Sequence, residues 1–274
     1  MTSLFVCPIC GGALSREPKL YRCASGHSFD RAAQGYVHLL PANRKHSADP
    51  GDDREMVAAR AAFLACGHYA PLRQLLCAAA LAHCPEEGGF LDSGCGEGYY
   101  TEGICDALKK AGRQNPAAGI DISKAAAKLA ARRCPDAEIA VASAYRLPVA
   151  DRHIGLLLNC FSPLCIDEFR RVLQPGGRFL YVVPAPRHLM QLKELLYERP
   201  YENARIKAEY PGFRYLGVQS FEGSAFLRSG QEIQNLFGMT PYFWKTPRAG
   251  KERLAALDSL ETEIGFDLHI YERL

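Results

Sequence analysis

The stretch Phe90-Leu-Asp-Ser-Gly-Cys-Gly-Glu-Gly98 decides the fold of this chain. An apolar run ends in the acidic residue Asp92, and glycines follow at every second position from Gly94 to Gly98. Glycine adopts positive φ angles without strain and brings no Cβ into a tight turn. Such a turn lets a buried strand pass directly into a helix, which we expect over residues 99–110. The pattern therefore predicts a loop whose backbone closes around a small ligand.

Spaced as D-x-G-x-G-x-G, this loop resembles motif I of the class I S-adenosylmethionine methyltransferases. The alternative is a dinucleotide-binding loop, which reads G-x-G-x-x-G and places a pyrophosphate at the helix N-terminus. Here the last gap is a single residue, and Asp92 precedes the first glycine. A carboxylate at that point repels a pyrophosphate but can pair with the amino group of a sulfonium ligand. The spacing therefore favours S-adenosylmethionine, with a purely structural turn as the remaining alternative.

Apolar strands alternate with helical segments along the rest of the chain, which is typical of a parallel, doubly wound α/β sheet. The turn LQPGG at 173–177 resembles the connection between the fourth and fifth strands of the same superfamily. By the same analogy, we expect the last strand to be antiparallel. The predicted strands after the glycine loop are 116–121, 137–142, 154–159, 178–183 and 264–271.

Asp121 ends the second of the predicted strands, and Ser123 can cap the helix that follows it. In a doubly wound sheet, an acidic residue at this point can accept hydrogen bonds from both hydroxyls of a ribose. We therefore expect Asp121 to bind the ribose of the cofactor.

A second strong signal lies near the start of the chain, where Cys7-Pro-Ile-Cys10 is followed by Cys23-Ala-Ser-Gly-His27. Each pair places two ligands on one tight turn. Three thiolates and one imidazole form a ligand set that zinc takes in closed structural sites. We therefore expect Cys7, Cys10, Cys23 and His27 to bind a structural zinc ion. The alternative, a redox-active Cys-x2-Cys pair, would not need the second Cys/His pair.

The net charge of +3 lies within the first 50 residues, which contain six Lys/Arg and three Asp/Glu. Arg16, Lys19 and Arg22 fall inside the expected zinc hairpin, and the basic segment NRKH follows at 43–46. One interpretation is a small solvated domain. The other is that the zinc module contacts nucleic-acid phosphates.

The 274 residues suffice for one α/β core and an accessory module. We expect a zinc module over 1–40, a linker with N-terminal helices over 41–85, and a methyltransferase domain over 86–274 with a substrate lid at about 186–245. The cysteines outside the zinc set fall on predicted helices and strands, which indicates buried small hydrophobes rather than disulfides. With no signal peptide and no apolar stretch near 18 residues, a cytoplasmic protein without membrane association is expected.

Together these features resemble one family, the RlmA-type 23S rRNA (guanine-N1)-methyltransferases. The resemblance spans nearly the whole chain and is far more specific than the glycine motif alone. The segments that carry it are the zinc module, FDRAAQGYVHLL (29–40), DPGDDREMVAARAAFLACGHYAPLR (49–73), LDSGCGEGYYT (91–101), RHLMQLKELLYE (187–198) and MTPYFW (239–244).

The resemblance implies S-adenosylmethionine-dependent methylation of guanine N1 in a domain II stem-loop of 23S rRNA. It also implies that the cofactor contacts Tyr69, the Gly98-Tyr99 edge of the loop and His188. The expected partner is 23S rRNA or a large-subunit precursor, and a homodimer would double the basic surface. With the residues argued above, the expected cofactor-binding set is Tyr69, Asp92, Gly94, Gly96, Gly98, Tyr99, Asp121 and His188.

Catalysis requires that guanine N1 meet the methyl group and lose its proton. Asn159, at the end of the fourth strand, is expected to hydrogen-bond the guanine edge, although an amide cannot act as a base. His188 is the expected proton acceptor, with Glu194 as a second candidate. We favour the hypothesis that no protein base is essential, because alignment can supply most of the acceleration. The segment NCFSP at 159–163 favours the branch of the family related to tylosin resistance, which adds a role in antibiotic resistance.

Three other functions fit parts of the sequence. A small-molecule methyltransferase acting on a quinone or lipid precursor would share the glycine loop but leaves a basic zinc module without a purpose. A non-catalytic, zinc-dependent RNA-binding protein would need a degraded cofactor loop, and this loop is intact. An enzyme that methylates amino groups of adenine or cytosine would need tandem prolines after Asn159, and the sequence lacks them.

Overall fold

The computed structural model describes residues 2–41, 50–205 and 209–274, so the basic segment at 43–46 lies outside the described residues. The strands are β1 (Thr2–Val6), β2 (Ala13–Arg16), β3 (Leu20–Cys23), β4 (Ser28–Asp30), β5 (Val37–His38), β6 (Gly89–Ser93), β7 (Ala117–Asp121), β8 (Glu138–Val141), β9 (Ile154–Cys160), β10 (Leu173–Pro184), β11 (Phe213–Leu227) and β12 (Leu260–Arg273). The helices are α1 (Arg54–Ala65), α2 (Ala70–His83), α3 (Tyr99–Lys110), α4 (Lys124–Arg133), α5 (Ile166–Val172), α6 (Met190–Leu196), α7 (Gly230–Gly238), α8 (Tyr242–Lys245) and α9 (Arg248–Ala255). Within the described ranges, no helix is both long and apolar enough to cross a membrane.

An eight-stranded sheet forms the centre of the protein, in the order β11-β12-β10-β9-β6-β7-β8-β5. From β10 to β5 neighbouring strands are parallel, whereas β12 is antiparallel to both β10 and β11. The chain order reverses between β6 and β9, and ligands of doubly wound sheets bind at such a switch point. The predicted class I methyltransferase fold, with its antiparallel last strand, is confirmed.

Both faces of this sheet are covered, because successive side chains of a strand point to opposite faces. Leu156 and Leu158 of β9 pack in one apolar cluster with Leu76 of α2. Leu157 of the same strand packs in a second cluster with Phe169 of α5. Strand β9 is therefore buried along its whole length, as its continuous apolar sequence requires.

The zinc module is joined to the large sheet through hydrogen bonds and a shared apolar core. Strands β1 to β4 form a small sheet of their own, whereas β5 pairs in parallel with β8 and extends the large one. The Leu4 amide donates to the Glu138 carboxylate of β8 over 2.9 Å, and Phe5 forms a bridge with Val149. Phe5 is fully buried in the cluster that also holds Leu91 and Leu157 of the large sheet.

Strand β11 lies inside the 186–245 range that the sequence predicts as a lid, but it forms an edge of the sheet. It pairs with β12 along its whole length. From this range, residues 188–189 and the segment around α8 line the cavity described below. Most side chains of β11 are exposed, including the apolar Leu216, Val218 and Phe226, so the strand lacks the alternation of apolar and polar residues by which a half-buried strand is predicted from sequence.

Because Phe5 belongs to the shared core, we expect Phe5→Ala to destabilise the whole protein by about 3–5 kcal/mol in a single unfolding transition. Urea unfolding followed by far-UV circular dichroism measures this. Phe226→Ala, the same change at a side chain that is 53% exposed, is the control and should shift the free energy of unfolding little. Two separate transitions, with only the first shifted by Phe5→Ala, would show that the zinc module unfolds independently.

Candidate active site

A cavity of about 890 Å³ lies at the carboxyl ends of the parallel strands. This volume falls within the range of roughly 300–1,000 Å³ that small-molecule sites occupy. Gly94 and Gly96 line one side, together with Asp121 at the end of β7. Tyr69 and His188 line it as well, so the fold brings together five of the predicted cofactor-binding residues.

The glycine loop needs its glycines for two different reasons. Gly94 has a φ of 85°, and a Cβ at this position would lie 2.3 Å from the Cβ of Ser162. Gly96 has a φ of 55° and faces open space, since a Cβ added to it would meet a single atom within 4 Å. Any side chain at Gly96 would therefore project into space that a ligand can use.

Asp121 links the glycine loop to the start of α4. Its Oδ2 accepts from the Gly96 amide over 2.9 Å, and its Oδ1 accepts from the Ser123 amide over 2.7 Å. Burial raises the pKa of this carboxyl group, while the two backbone donors oppose the rise. Each oxygen keeps a lone pair, so the carboxylate can accept two further hydrogen bonds from a ribose diol in the cavity.

Asp92 lies under the glycine loop and is 2% exposed, but it does not line the cavity. Its Oδ2 accepts from the Thr101 hydroxyl over 2.6 Å, whereas its Oδ1 is buried and has no partner among the described residues. Burial raises the pKa of this group to about 7. Because neither oxygen borders the cavity, the predicted contact between Asp92 and the amino group of a ligand stays a prediction. With the open space at Gly96 and the acceptors of Asp121, the site fits S-adenosylmethionine.

Tyr69 and His188 form a hydrogen-bonded pair over 3.1 Å between the phenolic oxygen and Nε2. Nδ1 of His188 accepts from the Gly265 amide over 3.2 Å, so the proton of the neutral ring is on Nε2 and is donated to Tyr69. Burial lowers the pKa of His188 to about 3. The ring is therefore neutral near pH 7 and has no nitrogen available to accept a proton. The geometry favours holding the Tyr69 hydroxyl in place over base catalysis by His188.

Asn159 is fully buried and does not line the cavity. Its amide nitrogen donates to the Ser162 hydroxyl over 2.6 Å and to the Pro163 carbonyl over 3.0 Å. These bonds shape the loop after β9, in which Phe161 projects towards the cavity with a φ of 54°. Asn159 therefore affects the site by shaping this loop and does not itself border the cavity. Its predicted contact with guanine would require the loop to move.

Gly98 and Tyr99 also lie outside the cavity. Gly98 caps α3 with a φ of 85°, and a Cβ there would lie 2.9 Å from the Cys134 sulfur. The Tyr99 ring lies under the guanidinium of Arg73, 4.8 Å from its centroid. The next residue, Tyr100, lines the cavity instead.

Several residues that line the cavity were not expected from the sequence. Residues 143–145 follow β8, and the rule that ligands bind at the carboxyl ends of parallel strands could have found them. Arg60 lies on α1, where nothing in the local sequence distinguishes it from a surface arginine. The unexpected lining residues that matter most below are Arg60, Glu97, Tyr145 and Phe161.

The four predicted zinc ligands converge in the N-terminal module. Their ligand atoms all lie within 4.8 Å of one another. The Cys10 and Cys23 sulfurs are 3.7 Å apart, and Nδ1 of His27 is 3.4 Å from Cys23 and 3.6 Å from Cys7. Tetrahedral zinc with bonds of about 2.3 Å to sulfur and about 2.0 Å to nitrogen requires separations of about 3.5–3.8 Å. The residues therefore fit a closed zinc site with Nδ1 of His27 as a ligand.

Asp92→Asn should stabilise the ligand-free protein more at pH 8 than at pH 5. The pKa of Asp92 in the folded protein, about 7, exceeds the ordinary value of 3.8, so ionisation of this group destabilises the wild-type fold as pH rises through that interval. The difference in free energy of unfolding between variant and wild type should therefore grow by at most about 1.4 kcal/mol per pH unit. Urea unfolding at both pH values measures it, and an equal difference at the two would contradict the assignment.

Comparisons with known proteins agree with both parts of the structure. The family described as "RlmA, N-terminal", a zinc ribbon, matches residues 5–48. The family described as "Methyltransferase domain" matches residues 91–181, which contain the glycine loop and Asp121. S-adenosylmethionine and a structural zinc ion are thus the cofactors of this chain.

Two relatives match over nearly their whole length. A Micromonospora griseorubida protein, provisionally named a 23S rRNA (guanine-N(1)-)-methyltransferase, is 36% identical over 274 residues, covering 92% of this chain and 90% of its own. The 23S rRNA (guanine(748)-N(1))-methyltransferase of Streptomyces fradiae is 35% identical over 264 residues, covering 93% and 91%. On this evidence the chain belongs to the RlmA-type 23S rRNA (guanine-N1)-methyltransferases.

Proposed function

We propose that this chain methylates N1 of a guanine in the domain II stem-loop of 23S rRNA, at the position equivalent to guanine 748. That number is part of the name of the Streptomyces fradiae relative. The segment NCFSP at 159–163 favours the branch of the family related to tylosin resistance. Bound S-adenosylmethionine supplies the electrophilic methyl group, and the chain supplies its alignment with the base.

The observation that carries this proposal is the aromatic rim of the cavity. Tyr145, Phe161 and Trp244 line it, and they are 72%, 46% and 65% exposed. N1 is on the Watson–Crick edge of guanine, so the base must be unpaired and extruded before it can react. Exposed aromatic rings at the entrance of a cavity can stack on such a base. The rim therefore supports a nucleobase as the substrate.

Phe161 is the member of the rim that lies on the loop after β9. Its positive φ is unusual for a bulky residue and indicates strain maintained by its surroundings. The Ser162 hydroxyl, which accepts from Asn159, donates to the Ser93 carbonyl over 2.5 Å. The Phe161 ring is roughly parallel to that of His188, at 24°, with centroids 6.4 Å apart. We propose that Phe161 stacks on the target guanine.

The charges of the site support a reaction without a protein base. His188 has a pKa of about 3 and both ring nitrogens in hydrogen bonds. Asp92 lies beneath the loop and does not line the cavity. The carboxylates that do line it all have partners, namely two backbone amides for Asp121, Arg60 for Asp52, the Met56 amide for Asp53 and Arg133 for Glu97. We propose that S-adenosylmethionine, held by Asp121 and the glycine loop, would supply the methyl group to N1, and that the N1 proton passes to water.

The zinc module is the proposed contact with the RNA backbone. Lys19 and Arg22 are exposed on the hairpin that β2 and β3 form, and exposed basic side chains bind phosphates. The substrate can be free 23S rRNA or a large-subunit precursor, and a homodimer stays a prediction.

Incubation with labelled S-adenosylmethionine and protein-free 23S rRNA from a strain that lacks the gene tests the function. N1-methylguanine blocks base pairing, so primer extension should stop next to the guanine equivalent to 748. Large-subunit particles from the same strain, assayed in parallel, distinguish the two forms of the substrate. Tight binding of S-adenosylmethionine with no incorporation into either RNA would contradict the proposal.

Phe161→Ala should lower kcat/KM for the RNA by about 10- to 100-fold, since base–aromatic stacking contributes about 1–3 kcal/mol. Phe161→Tyr keeps the ring and should keep most of the activity. The affinity for S-adenosylmethionine, measured by calorimetry, should be unchanged in both variants. Unaltered kcat/KM in Phe161→Ala would show that this ring does not hold the guanine.

A further inference from the structure

The charges around the cavity are strongly unbalanced. Four carboxylates line it, from Asp52, Asp53, Glu97 and Asp121. Among the described lining residues Arg60 is the one cation near neutral pH, because His188 has a pKa of about 3. S-adenosylmethionine carries a positive sulfonium and a positive amino group, which suit this acidic surface. Its carboxylate does not, since an enclosed carboxylate is costly unless a cation pairs with it.

Arg60 is placed to meet that requirement. Its side chain is 23% exposed, and its Nη2 forms an ion pair with Asp52. Its Nη1 faces the glycine loop, because a Cβ built on Gly96 would lie 3.6 Å from this atom and meet nothing else within 4 Å. One nitrogen of the guanidinium is thus held by the protein, and another borders the open space where a ligand against the loop would lie.

Arg60 keeps its charge in this setting. Burial alone would lower its pKa, but the carboxylates of Asp52, Glu97 and Asp121 outweigh burial and raise it. The planar guanidinium also matches the geometry of a carboxylate better than an ammonium group does. Arg133, by contrast, pairs with Glu97 over 3.4 Å and does not line the cavity.

We propose that Arg60 binds the carboxylate of S-adenosylmethionine. The proposal concerns the cofactor half of the site and rests on the methyltransferase function, but it does not depend on which RNA is methylated. Asp52, in the segment before α1, then holds one side of the Arg60 guanidinium, while the other side binds the carboxylate of the cofactor. The Asp52 carbonyl also accepts from the Ser123 hydroxyl over 2.7 Å, which connects this segment to the α4 end of the ribose site.

The test compares S-adenosylmethionine with decarboxylated S-adenosylmethionine, which lacks only the carboxylate. Dissociation constants are measured by calorimetry without RNA for the wild type, Arg60→Gln, Arg60→Lys, Asp52→Asn and Arg133→Gln. The wild type should prefer the intact cofactor by about 10- to 100-fold, the range expected for a charge-assisted hydrogen bond. Arg60→Gln should lose this preference while binding the decarboxylated compound almost as the wild type does. Arg60→Lys, which keeps the charge, should retain part of the preference.

Arg133→Gln is the control for a change of nearby charge, because Arg133 does not line the cavity, and it should preserve the preference for the carboxylate. Asp52→Asn removes the ion pair that holds one side of the Arg60 guanidinium, so it should weaken the preference without abolishing it. Equal weakening of the two ligands in Arg60→Gln would overturn the proposal, and so would a loss of preference in Arg133→Gln that matches Arg60→Gln. A wild-type enzyme that shows the preference but methylates no rRNA would contradict the proposed function and leave this inference in place.

Discussion

The Asp121 carboxylate accepts one backbone amide from the glycine loop and another from the turn that starts α4. These two bonds fix the loops after β6 and β7 relative to each other, and both loops line the cavity. Each loop alone would be free to move, because a glycine-rich turn has little conformational restraint of its own. The same carboxylate lines the cavity and is the proposed ribose ligand, so one group both joins the two loops and borders the site.

The chemistry that this arrangement supports is alignment rather than proton transfer. The ring of His188 has no nitrogen free to accept a proton, because one donates to Tyr69 and the other accepts a backbone amide. Each carboxylate that lines the cavity already has a partner: Asp121 has two backbone amides, Asp52 has Arg60, Asp53 has the Met56 amide and Glu97 has Arg133. What remains around the cavity is an acidic surface for a cationic cofactor and an aromatic rim that suits a flat base. Methyl transfer between two well-placed reactants needs little more, because orientation alone can account for several kcal/mol of the barrier.

The zinc module is part of the same structural unit as the methyltransferase sheet. Strand β5 extends that sheet, and Phe5 lies in its core. The basic hairpin is therefore held in a defined orientation relative to the cavity and is not attached through a flexible linker. A rigid arrangement lowers the entropy lost when both surfaces contact one RNA. The boundaries expected at 40 and 85 stay predictions, since the core crosses them.

The sequence by itself determined the parts that depend on local pattern. Three glycines after an acidic residue predict the strand, loop and helix, and the Cys/His spacing predicts the zinc ligands, because both patterns act over a few residues of backbone. Only the tertiary structure decided which side chains face the cavity. It buries Asn159 and turns Tyr99 towards Arg73, while Arg60 and Phe161 reach the site from segments far apart in the chain. The physical reason is that orientation at such a site is set by packing between elements, which no short stretch of sequence contains.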